Sequence, residues 1–310
     1  DLSRRENSLG VYGEYTYTLG DELSVVADLS LDWNNLYGLF LSPRTNIRWA
    51  PVDWLVIRAS GGRGTRSPNV VADNLGMMST GRRIDIAPDL GMESAWTYGG
   101  NLTFYIPIGF EDNSYLSFDY FRTQFYNSVI ADQEYSPNDI YIYSSDKRSF
   151  TDTYQVDFSW TPVERFDIFA TYRYTNSRMT IDRPDGSTAL VERPLVSRYK
   201  ALLNLQYSTR YNRWVFDVTA QLNGPSRLPT QTGDLADSEM SPTYPMFFAQ
   251  VTRKVGKFDI YVGCENILDY KQKHPILNAD DPFSAGFNSS VIWGPLMGRK
   301  FYAGLRINFY

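Results

Sequence analysis

A single cysteine, Cys264, and a single histidine, His274, limit the chemistry open to this 310-residue chain. One thiol forms no disulfide within the chain. One imidazole leaves a His-rich metal cage or a Ser-His-Asp relay without material. His274 lies in Lys271-Gln272-Lys273-His274-Pro275 and reads as a solvated loop residue. Gly61-Gly62-Arg63-Gly64 lacks the G-x-x-x-x-G-K-[ST] spacing of a phosphate loop and reads as a strand end entering a loop. The acidic pairs Asp280-Asp281 and Glu111-Asp112 lack EF-hand spacing and read as solvated turns. No motif marks the carboxylate pair of a glycosidase. No catalytic group, metal site or cofactor site is therefore expected. What remains is recognition: Arg82-Arg83 suits an anionic cargo, and aromatic side chains are plentiful.

Aromatic residues make up 15% of the chain, with 23 Tyr, 18 Phe and 7 Trp. Such a tyrosine excess suits many positions that are half apolar and half wet. The net charge is −5, which excludes a strongly basic nucleic-acid surface. Mean hydropathy is slightly polar, and no apolar run approaches the roughly 20 residues of a membrane helix. A membrane β-barrel stays open, because its strands alternate and never look hydrophobic on average. Asp1-Leu2-Ser3-Arg4-Arg5-Glu6-Asn7 shows no apolar targeting segment, as in a mature product or a fragment.

The elements that must position these residues announce themselves by a two-residue period. Phe301, Ala303, Leu305, Ile307 and Phe309 alternate with Lys300, Tyr302, Gly304, Arg306 and Asn308. Trp214, Phe216, Val218, Ala220 and Leu222 alternate with Val215, Asp217, Thr219, Gln221 and Asn223. Successive side chains point to opposite faces of a strand, so each such segment has one apolar and one polar face. The pattern predicts thirteen strands, over 9–19, 22–34, 43–50, 53–62, 93–106, 114–125, 150–161, 165–177, 196–208, 213–223, 244–254, 257–267 and 299–309. Many exceed the five or six residues of an ordinary strand and match the roughly 9–11 of a tilted membrane strand.

The connections alternate between short and long. Short ones fall at Gly20-Asp21, Pro51-Val52, 107–113, 162–164, 210–212 and Val255-Gly256; long ones run over 63–92, 126–149, 178–195, 224–243 and 268–298, with 35–42 intermediate. Outer-membrane barrels have short periplasmic turns and long extracellular loops, so the last strand is expected to end at Tyr310 in the periplasm. An odd strand count then places Asp1 on the extracellular side. Barrels of this kind have an even number, so further strands are expected upstream. The segment 139–144 also alternates, and as a fourteenth barrel strand it would reverse this parity.

Three local motifs add a family resemblance. Ser42-Pro43-Arg44-Thr45-Asn46-Ile47-Arg48-Trp49 leads into Arg58-Ala59-Ser60-Gly61-Gly62-Arg63-Gly64-Thr65-Arg66-Ser67-Pro68-Asn69. This resembles the mid-barrel "S-P-R" and "R-A-S-x-G-x-G-x-R-x-P" segments of TonB-dependent receptors. Gly263-Cys264-Glu265-Asn266-Ile267-Leu268-Asp269 looks like the family's "x-x-E-N-L-x-D", and Gly298-Arg299-Lys300-Phe301-Tyr302-Ala303-Gly304-Leu305-Arg306-Ile307-Asn308-Phe309 like its final strand. Trp293-Gly294-Pro295 is similar to receptors of the Bacteroidetes group.

The resemblance implies an all-β fold, an antiparallel transmembrane β-barrel. The chain would supply thirteen strands, as a single C-terminal domain, of a barrel of about 22 that encloses a plug. Neither plug nor TonB box is present in this sequence. The implied function is active outer-membrane uptake of a scarce nutrient: siderophore-iron, haem, cobalamin or an oligosaccharide. The implied partners are outer-membrane lipid, the plug, the N-terminal strands and the TonB energy complex. Glycan-importing members also work with a surface lipoprotein. A passive porin or structural barrel subunit is the alternative, and a β-propeller is disfavoured by strand length.

Parity places Arg44, Asn46, Arg48, Arg58, Asp119, Asp157, Arg173, Asn204, Gln206, Asp217, Gln221, Asp259, Glu265 and Arg306 on the inward face, against the plug. Cys264 falls on the outward face. Trp33, Trp49, Trp54, Trp96, Trp160 and Trp214 read as interfacial girdles. Cargo contacts are expected among Tyr37, Phe40, Arg82, Arg83, Tyr135, Tyr141, Tyr143, Phe283, Phe287 and Trp293.

Overall fold

The computed structural model describes residues 4–110, 114–183, 185–230, 239–284 and 286–309. The acidic pair Glu111-Asp112 and the terminal Tyr310 lie outside these. Thirteen antiparallel strands run side by side in one sheet, each next to its neighbour along the path. They are β1 (Ser8–Leu19), β2 (Leu23–Asn34), β3 (Gly38–Val52), β4 (Leu55–Arg66), β6 (Glu93–Tyr105), β7 (Tyr115–Asp132), β9 (Ser149–Val163), β10 (Phe166–Asp182), β12 (Tyr199–Ser208), β13 (Trp214–Asn223), β14 (Tyr244–Val255), β15 (Phe258–Glu265) and β16 (Lys300–Ile307). Three short strands lie off this path: β5 (Arg83–Ile86), β8 (Asp139–Ser145) and β11 (Thr188–Glu192). β8 is the segment that threatened the parity. It pairs with the far end of β7 and, in parallel, with β5, so the barrel count stays at thirteen.

Register explains why the alternation is so regular. Directly opposed residues share a face, so a row can be followed from strand to strand. One row reads Ser24, Arg48, Arg58, Asn101, Asp119, Gln155, Arg173, Lys200, Asn223 and Tyr244. The row shifted by one residue reads Leu23, Trp49, Ile57, Leu102, Phe118, Val156, Tyr172, Ala201, Leu222 and Pro245. The first is polar and the second apolar across ten strands. A one-residue slip anywhere would exchange the two faces, so the pattern pins the register.

The apolar face also shows where its band ends. Tyr120, Tyr154, Tyr174 and Tyr199 form one outward row. Tyr120 and Tyr154 lie 4.9 Å apart, and Tyr154 and Tyr174 6.3 Å. The next outward row toward the long loops holds Arg122, Asp152 and Asn176, with Arg122 and Asp152 paired at 3.4 Å. Charge replaces apolar groups at that level, so the tyrosine row marks where the apolar band ends, the place where aromatic girdles stand in membrane barrels. At the opposite end Trp54 stacks with Phe104 and Trp214 with Phe216, and Phe158 meets Trp160 at a tilt of 44°.

Tight turns close the lower end. Gly20 and Gly256 adopt φ of 53° and 59°, a left-handed conformation that glycine enters without steric cost. At the upper end β7 and β10, 18 and 17 residues long in all, run well past the tyrosine row. β8 and β11 pair with these overhangs. A small core forms there from Ala87, Ile130, Tyr143, Met179 and Ile181, with Leu90, Tyr141, Ala189 and Val191 against it. Among the described residues the long connections thus build a folded canopy on these stems. β1 pairs only with β2 and β16 only with β15 among the described residues, so the sheet has two free edges.

Candidate functional site

The inward face is a connected polar surface. Arg58 Nη1 donates to Asn101 Oδ1 (3.2 Å), and Asn101 Nδ2 donates to Asp119 Oδ1 (2.9 Å). Arg173 Nε donates to Gln155 Oε1 (2.7 Å), whose Nε2 donates to Asp157 (2.8 Å). Asn204 Nδ2 reaches Asp217 and Thr219 at 3.2 and 2.9 Å. Lys300 pairs with Glu265 at 3.3 Å. Arg48 and Arg58 line a recess of about 450 Å³ together with Asn46, Asn101 and Asp119. Arg306 lines a second of about 490 Å³ with Asp259 and Gln250. Arg44 sits opposite Gly62, where a Cβ would press on its side chain. Each inward candidate therefore occupies the polar face. The cations and anions interleave, so this face offers hydrogen bonds of both polarities rather than one field.

The canopy groups the remaining candidates into two aromatic sets. Tyr135, Tyr141 and Tyr143 follow in series with centroids 5.1 Å apart at each step, the first pair tilted at 40° and the second stacked at 19°. Tyr141 and Tyr143 stand on β8, which holds them at fixed spacing. Trp293 joins Tyr244 (5.9 Å), which stacks on Tyr270 at 4.9 Å and 6°. Gln272 fixes this loop: its Nε2 donates to the Val291 carbonyl, and its Oε1 accepts from the amides of Trp293 and Gly294. Tyr37 stands apart in the β2–β3 turn under the Arg4 guanidinium. Phe40 falls within β3, and Phe283 is almost fully exposed. Phe287 contributes its carbonyl, which accepts from Gly81 N and Thr80 Oγ1.

The two adjacent arginines part company. Arg83 is exposed and pairs with Asp85 (2.8 Å) and Asp139 (3.0 Å). Arg82 is 5% exposed and donates to the Gln133 carbonyl at 2.6 Å. Beside it, Arg227 pairs with Glu134 at 2.5 Å, both buried, and Glu134 also accepts from the Thr230 amide. Burial pushes the Asp132 carboxyl up to about 6, against the Glu134 amide that donates to it. It likewise raises Glu134 and lowers Arg82. Ser290 donates to Gln133 and Asn288. Four connections meet here, through Arg82, Gln133 with Glu134, Arg227 with Thr230, and Asn288 with Ser290. Sequence reasoning singled out Arg82 and no other member of this knot. Its partners lie 51 to 157 residues apart, and no short motif records such a spacing.

The fold agrees with that of known proteins. A family model described as the TonB dependent receptor-like β-barrel matches residues 2–267. The comparison with curated protein sequences found no match. Among solved structures, a mutant of the ferric enterobactin receptor PfeA from Pseudomonas aeruginosa is similar with a TM-score of 0.69 at 15% identity, over 98% of this chain and 45% of that one. The siderophore receptor PirA from Acinetobacter baumannii gives 0.68 at 13%, over 98% and 46%. The FrpB iron transporter from Neisseria meningitidis gives 0.67 at 13%, over 97% and 44%. This chain spans less than half the length of each. Members of the matched family are transporters rather than enzymes, and outer-membrane β-barrels. With thirteen long antiparallel strands, opposed polar and apolar faces, and a family match over most of its length, the chain belongs to the TonB-dependent receptor β-barrels.

Proposed function

We propose that this chain is the C-terminal part of the barrel of an outer-membrane receptor that imports a ferric siderophore, acting with a plug and further strands. The carrying observation is the open sheet: thirteen strands with a polar inner face, an apolar outer face and two free edges. In hydrocarbon every backbone polar group needs an internal partner, so a membrane sheet closes on itself. Strands from outside this chain complete the wall, and the mixed charges inside suit a docked plug that TonB engages. Of the nutrients in question, iron chelates are favoured over haem, cobalamin or an oligosaccharide, because the similar structures are named as siderophore or iron receptors. The canopy supplies aromatic faces for such a cargo. A surface lipoprotein partner fits best with a glycan cargo. The likeness of 293–309 to Bacteroidetes receptors suggests the source group.

The test is uptake of radiolabelled ferric siderophores by cells with and without the gene, with and without a protonophore. Energy-dependent uptake lost on deletion is expected. Gene-dependent uptake that ignores the protonophore would mean a passive porin instead.

A further inference from the structure

The canopy knot gathers five buried polar atoms that have no hydrogen-bond partner among the described residues. They are Nε and Nη2 of Arg82, Nη1 of Arg227, Nδ2 of Asn288 and Oδ2 of Asp132. All four residues are more than nine-tenths buried. One short segment, Asp132-Gln133-Glu134, brings them together. The Gln133 carbonyl takes Arg82, Glu134 takes Arg227, and Ser290 links Gln133 to Asn288.

Arg82 defines the geometry. Its Nη1 donates to the carbonyls of Gln133 and Ser136, at 2.6 and 3.4 Å. The unfilled pair, Nε and Nη2, is the side-on edge of the guanidinium. That edge is the fork which takes two oxygens of a carboxylate, sulfate or phosphate. A buried cation with an empty fork carries its desolvation penalty without the contact that offsets it. Four of the five atoms are N–H donors, so a ligand that suits them is rich in acceptors.

We propose that the knot is a binding site for a small oxyanion, gripped side-on by Arg82 and completed by the free N–H groups of Arg227 and Asn288. The anion bolts four extracellular loops together. Charge agrees. Arg82, Arg227 and Glu134 sum to one positive charge when Asp132 is protonated, and to zero when it ionises. The groups that act on Asp132 are Glu134 and Arg227, with Arg82 and Tyr143 facing it in turn. Burial keeps Asp132 protonated to about pH 6, so oxyanion binding strengthens in acid.

Sulfate is the probe, because its charge is constant over the range tested. The intact receptor in detergent is melted while chloride is exchanged for sulfate at fixed ionic strength, at pH 5.5 and 7.5. A rise in Tm of roughly 2–6 °C at saturating sulfate is expected, larger at pH 5.5. Arg82→Lys keeps the charge and loses the fork, so its Tm should ignore sulfate. A wild-type Tm that does not respond to sulfate overturns the proposal. So does an equal rise in wild type and variant, which would mean adventitious binding. If Arg82→Lys fails to fold, a crystal of the wild type grown in sulfate decides: sulfate at the fork supports the site, and water alone there refutes it.

Discussion

The canopy stands or falls on a few buried charges. Arg227 and Glu134 are nearly invisible to solvent, unlike the half-exposed pairs Arg83–Asp85 and Arg198–Glu192. Exposed pairs are worth little, whereas removing one partner of a buried pair leaves an uncompensated charge. Arg227→Met should therefore loosen the four-loop knot by about 3–5 kcal/mol. Hydrogen exchange across 80–92 and 130–145 is the measurement, and unchanged protection there would contradict the assignment. The pH dependence has a definite sign. Asp132 has its folded-state value raised to about 6 from an ordinary 3.8. A raised carboxyl binds its proton more tightly in the folded state, so its favourable contribution is complete below about pH 4 and is lost as pH rises through about 6. Glu134 shifts in the same direction. Canopy protection should accordingly fall between pH 4 and pH 7 at constant salt, and a rise would contradict it.

At the scale of the strand, the two faces obey different rules. Leu203 lies outward, in the row Phe158, Ala170, Leu203, Ala220 and Phe247. Asn204 points inward beside Asp217. Leu203→Arg should cost about 2–4 kcal/mol in a bilayer, while Asn204→Arg, one residue away, places a cation beside a carboxylate and should be tolerated. The readout is heat-modifiable mobility after assembly in membranes. Gly99 gives a sharper case. A Cβ there would press on the Tyr120 carbonyl and come within 2.7 Å of Phe121 Cα. Gly99→Val should break the β6–β7 pairing and abolish assembly, because backbone cannot step aside as a side chain can.

Strand elements were also the most legible part of the sequence. Each of the thirteen expected segments is a barrel strand, and the polar and apolar parities hold through to Arg306 and Ile307. The ends were less legible. β3 begins at Gly38 rather than 43, and β4, β7 and β10 run on to Arg66, Asp132 and Asp182. Above the tyrosine row both faces are covered by protein or water. The single apolar stripe that lipid imposes is absent there, so alternation no longer reports a strand. The knot was invisible for a different reason: Arg82, Glu134, Arg227 and Asn288 meet only through tertiary folding.

As a whole molecule the chain is a wall with two open margins. β1 is exposed on both faces along all 12 residues and pairs on one side only. Such an edge recruits any available strand. The 310-residue chain produced alone should give mixed oligomers in detergent rather than one monodisperse species, by light scattering. A monodisperse monomer with heat-modifiable mobility would show that it closes by itself.

The overhanging stems of β7 and β10 bear on how this protein would be seen from outside. In the proposed outer-membrane setting, the described part of its outermost region is a folded platform in which residues near 80, 134, 227 and 289 are neighbours. Antibodies raised against whole cells should therefore recognise discontinuous epitopes, and synthetic peptides copied from a single loop should make poor mimics of them.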